Sequence, residues 1–78
     1  MTTIAEVKET FETELQAIFF LDQTLAEERS AIKMKAFAED RPLTDEEVSR
    51  RKEIAATRGE LAEAMEALAL DTVNALEN

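Results

Sequence analysis

The chain predicts an all-α protein built as a long antiparallel two-helix hairpin, and three observations carry that prediction. The 78 residues include one Gly, one Pro, no Tyr and no Trp, which leaves little material for strand turns or an aromatic-rich sheet. Apolar residues recur at sevens in both halves of the chain: Ile4, Phe11, Ile18, Leu25 and Ile32, then Ile54, Leu61 and Leu68. Between the ladders lies the only proline, Pro42.

The first helix is expected from about residue 4 to 38, with no Gly or Pro inside it. At 1.5 Å per residue it would be about 50 Å long. Glu6, Glu9 and Glu12 near its start and Arg29, Lys33 and Lys35 near its end complement the helix dipole.

The turn is expected over about 39–44. Arg41 precedes Pro42 and is therefore biased away from helical backbone. Thr44 and Glu47 have the spacing of a capping box, Leu43 and Val48 that of a hydrophobic staple, and Asp45, Glu46 and Glu47 place acids in the first turn. The second helix is expected from about 45 to 76. The whole of 1–78 reads as one helical-hairpin domain.

The ladders also suggest a register. In the first half each ladder residue follows a small one (Thr10, Ala17, Thr24, Ala31); in the second half each precedes an alanine (Ala55, Ala62, Ala69). Reversing a helix exchanges which neighbour comes first, so the two patterns can face each other. The pairing so predicted sets Ile32 against Ile54, Leu25 against Leu61 and Ile18 against Leu68. Small residues then meet between those layers, Ala31 with Ala55, Thr24 with Ala62 and Ala17 with Ala69, and Glu28 comes opposite Arg58. Phe11, Ile18, Leu25, Ile32, Ile54, Leu61 and Leu68 form the expected seam.

Charge is distributed unevenly. Residues 1–28 carry seven acids and one base, residues 29–58 six acids and eight bases, and residues 59–78 five acids and no base. Folding the chain back joins the two acidic segments at the end away from the loop. A net charge of −9 without a basic face argues against direct nucleic-acid binding. Arg50, Arg51, Lys52 and Arg58 are read as partners for nearby acids.

The inventory for chemistry is sparse. Histidine and cysteine are absent, so Ser30 and Ser49 have no imidazole base, and the single Gly cannot build a glycine-rich phosphate loop. Glu60, Glu63 and Glu66 have helical i, i+3 spacing, but a di-iron bundle pairs Glu with His on facing helices. No catalytic, cofactor-binding or metal-ligating residue is assigned, and the protein is read as not an enzyme. Asp22 is expected beside the seam, reaching water or pairing near Arg58 and Met65. Gly59, inside the second helix, is read as a point of close approach or an exposed glycine, with a functional hinge as the alternative.

Apolar surface exceeds what one hairpin can cover. Leu15, Phe19, Phe20 and Leu21 surround Ile18, while Met65, Leu70 and Val73 widen the second stripe. A helical turn that is apolar all round calls for a second partner. The expectation is a homodimer, a four-helix bundle closed through the end opposite the loop. Leu15, Phe19, Phe20, Leu70 and Val73 are the expected interface residues, and Phe19, Phe20, Leu70 and Val73, flanked by Glu12, Glu14, Glu63, Glu66 and Asp71, are expected to make the apolar contact with a further protein.

The functional expectation is a non-enzymatic protein–protein interaction module, an adaptor, chaperone, inhibitor or regulator, whose further partner carries a basic surface. Two alternatives are an acidic decoy of a nucleic-acid-binding protein and a purely structural homo-oligomer. The longest apolar run, Ala17 to Leu21, is far short of the roughly 20 residues that span a bilayer. A cysteine-free chain without a signal-like start is expected in the cytoplasm.

Overall fold

A computed structural model describes residues 3–77. They form two helices, α1 (Ile4–Ala38) and α2 (Asp45–Glu77), packed side by side in a rod of 58 × 16 × 12 Å. No strand occurs among the described residues.

The helix ends are held by local hydrogen bonds. At the start of α1 the Thr3 hydroxyl accepts the Glu6 N–H at 3.1 Å, and the Glu6 carboxylate accepts the Thr3 N–H at 3.4 Å, closing a capping box. The expected box at α2 has the same form. Thr44 Oγ1 accepts the Glu47 N–H at 3.1 Å, and Glu47 Oε1 accepts the Thr44 N–H at 2.9 Å.

α1 stops before proline acts on it. Asp40 takes a left-handed conformation with φ of 49°. The Arg41 N–H then reaches back to the Ala36 carbonyl at 3.1 Å and the Asp40 N–H to the Phe37 carbonyl at 3.2 Å. These two bonds are a Schellman ending, with Asp at the position usually held by Gly. Arg41 ties the turn together: Nε donates to Glu39 and Nη1 to Glu47, both at 2.6 Å, and Nη1 also donates to the Pro42 carbonyl at 3.2 Å.

The seam combines two rows from each helix. In α1 the two rows contain Phe11, Leu15, Ile18, Asp22, Leu25, Arg29, Ile32 and Ala36, and in α2 Arg51, Ile54, Arg58, Leu61, Met65, Leu68 and Thr72; Val7, Ala26, Glu28, Glu47, Val48 and Thr57 are half-buried as well. Steps of four and three alternate along both, the spacing that keeps one stripe against a partner helix. Ile54, Leu68 and Ala36 are buried and the others half-buried. Thr72, a polar residue on this stripe, donates its hydroxyl to the Leu68 carbonyl at 2.8 Å.

The predicted alternation of large and small layers does not occur. Thr10, Ala17, Thr24 and Ala31 are exposed, as are Ala55, Ala62 and Ala69. Consecutive helical residues differ by 100°, whereas residues four apart differ by only 40°, so the second row of the seam comes from the latter. The expected Glu28–Arg58 pair is also replaced. Glu28 binds Arg50 (2.9 and 2.7 Å), about two turns from Arg58 along α2, and Arg58 binds Asp22.

Two outcomes follow from the turn. Asp40→Gly should raise stability by about 1 kcal/mol, because glycine enters the left-handed region without a Cβ clash; chemical denaturation monitored by circular dichroism measures it. Arg41 and the Thr44 N–H together hold the Glu47 carboxylate at a pKa of about 2, down from an ordinary 4.5. A depressed carboxylate stabilises the fold fully above its unfolded pKa, and that contribution is lost as pH falls from about 4.5 to about 2. Glu47→Gln should therefore lower Tm at neutral pH and flatten its decline over that acid window.

Candidate interaction surface

The residues around the covered stripe decide what the hairpin offers to a partner. Asp22 and Arg58 lie on the stripe itself, each about one-third exposed. Their contact is bidentate, Nε to Oδ1 at 2.8 Å and Nη2 to Oδ2 at 3.3 Å. The guanidinium's hydrogen bond holds the Asp22 carboxyl below the usual carboxylate range and raises Arg58 in turn. Both charges are thereby satisfied within one chain.

Arg29 and Arg51 also occupy the stripe, and their situation differs. Each buries its Nε atom without a hydrogen-bond partner. With Lys33, Arg58, Ala26 and Ser30 they line a groove of about 330 Å³ that contains no carboxylate. Arg29 and Arg51 continue into a second groove with Val48, Lys52 and Ala55 near the loop. Arg58 continues into a third with Asp22, Gly59 and Ala62. These shared linings place the grooves on one side of the hairpin.

The exposed alanine ladder edges that same side. Ala55 and Ala62 line its grooves, and Ala69 and Leu76 follow at sevens, Leu76 lining a groove with Glu12 and Phe11 at the open end. A Cβ added at Gly59 would meet nothing within 4 Å. Packing within the hairpin therefore does not require this glycine, and it stands open on the grooved side.

The outer apolar residues are distributed around the rod. Phe19 (52% exposed) shares the heptad position of Ala26 and Lys33 and so flanks the grooved side. Phe20 (75%) lies opposite the covered stripe of α1 and Leu70 (61%) opposite that of α2, so they occupy the two outer edges of the hairpin. Val73 is half exposed at the heptad position of Gly59, and Leu15 is half-buried on the stripe itself. Phe37 and Met34, which lie outside the heptad ladders, are exposed as well, and so is Ile4, the first residue of the first ladder. Phe37 stands 18 residues, five full turns, beyond Phe19 and so on the same side of α1, a relation that helical spacing alone reveals.

Around these residues, Glu12 and Glu14 rise from α1 and Glu63, Glu66 and Asp71 from α2, all exposed. Among the described residues no three carboxylates come close enough to share a metal ion, and no helix is long and apolar enough to cross a membrane. No family model, curated protein or solved structure matches the chain.

The Asp22–Arg58 pair generates a stability test. Asp22→Leu alone should lower Tm because it strands Arg58 on the stripe, while Asp22→Leu with Arg58→Leu should equal or exceed the parent. Thermal melts of the parent, both single variants and the double variant give the coupling.

Proposed function

We propose that the protein is a non-enzymatic interaction module that acts as a homodimer, two hairpins associating as a four-helix bundle. The observation that carries this reading is the area left uncovered. The chain exposes 6180 Å² at a mass of 8.8 kDa, whereas an ordinary monomeric globule of that mass exposes about 4,800 Å². The excess, about 1,400 Å² on each copy, exceeds the roughly 800 Å² that each partner contributes to a standard stable interface.

The composition of the uncovered surface supports the same reading. Only Ala36, Ile54 and Leu68 form the buried apolar core among the described residues, while Phe19, Phe20, Leu21, Phe37, Leu70 and Val73 remain open. A chain of this length seldom reaches useful stability from so thin a core, and association is a common remedy. Once the grooved side is covered, Phe20 and Leu70 still stand at the outer edges. There they suit a further protein whose basic surface complements the net charge of −9. The absence of cysteine fits residence in a reducing cytoplasm.

Size-exclusion chromatography with light scattering should return twice the chain mass at micromolar concentration. Phe19→Asp should shift the protein toward monomer and lower its concentration-dependent Tm, because it buries a charge in the interface. A wild-type protein that stays monomeric and stable across concentration would overturn the homodimer.

A further inference from the structure

We infer that the second copy lies antiparallel on the grooved side, so that the acidic open end of each hairpin covers the cationic grooves near the loop of the other. This rests on the homodimer reading and specifies its geometry. Charge on the grooved side is polarised along the rod. Arg29, Lys33, Arg51 and Lys52 gather toward the loop, where they line the grooves. Glu9 and Glu12 stand toward the open end: Glu12 lines its groove beside Lys8, and Glu9 is the next acid on that face of α1.

A parallel pairing would set the four bases of one copy against those of the other. Reversal sets Arg29 and Lys33 against glutamates. Rotation about a two-fold axis perpendicular to the rod superposes α1 on α1 of the second copy in opposite directions. With the axis near the middle of the rod, Glu12 of the second copy comes over Arg29 and its Glu9 over Lys33. The exchange occurs twice, as two-fold symmetry requires.

The centre of the face suits close contact. Gly59 and Ala62 lie near the middle of the rod, with open space where a side chain at Gly59 would project. Ala55 and Ala69 continue the low surface to either side, and Phe19, Val73 and Leu76 supply its larger apolar contacts. Small residues at the crossing let helices approach toward the short end of the usual 8–10 Å separation. The apolar centre supplies the association and the charged ends choose its direction.

Complementary charge reversal tests the arrangement. One variant carries Arg29→Glu with Lys33→Glu; the other carries Glu9→Lys with Glu12→Lys. Circular dichroism checks that both remain helical, and sedimentation equilibrium measures each alone and as an equimolar mixture. Each variant alone should dimerise about tenfold or more weakly than the parent, since like charges then meet at both ends. The mixture should form heterodimers within about threefold of the parental affinity, and the chain carrying all four changes should recover likewise.

Weakened variants that fail to rescue one another, or variants that dimerise as tightly as the parent, would overturn the antiparallel face while leaving the homodimer intact. A monomeric parent would overturn both. Should either variant lose its helices alone, Lys33→Glu and Glu9→Lys as single substitutions take their places: weaker dimerisation of each alone with recovery in the mixture supports the geometry, and parental affinity of either alone refutes it.

Discussion

Two helices that touch along one line can shelter only one stripe on each, and most features of this protein follow from that limit. The stripe requires residues at alternating steps of four and three, and the chain fills one row on each helix with large apolar groups. The other rows are mixed, with Leu15, Asp22, Arg29 and Ala36 on α1 and Arg51, Arg58, Met65 and Thr72 on α2. Three buried apolar residues are what such a seam yields among the described residues, and a rod 58 Å long leaves the remaining apolar surface in water.

Polar groups on the seam are accommodated in distinct ways. Asp22 and Arg58 satisfy each other through two hydrogen bonds across the helices. Thr72 turns its hydroxyl back to its own helix. Arg29 and Arg51 run their stems along the stripe and carry their charge to the grooved side. The seam thus exports positive charge to one side of a strongly acidic protein. That export gives the face its direction and distinguishes it from the outer edges, where Phe20 and Leu70 stand exposed.

The turn illustrates how much was legible from local chemistry. The Thr44–Glu47 capping box was readable from spacing alone, because every bond in it forms within one helical turn. Arg41 was readable as a helix terminator through its neighbour Pro42, yet the chain already leaves the helix at Asp40. Nothing about an aspartate announces left-handed backbone when Gly is absent. Arg41's second role, clamping Glu39 and Glu47, depends on how the corner closes in space.

The sequence by itself determined two helices, their limits to within a residue and the residues of one apolar row on each, since backbone hydrogen bonding and helical periodicity are local. It also carries apolar residues beyond one row on each helix and a net charge of −9. Only the tertiary structure decided which residues complete the seam. It placed Asp22 against Arg58 and Glu28 against Arg50, and left the alanine ladder open beside the cationic grooves. Neighbouring residues 100° apart cannot share a narrow stripe, and long arginine side chains select partners turns away from their own level. Those choices depend on distances across the seam, which no spacing along a single helix contains.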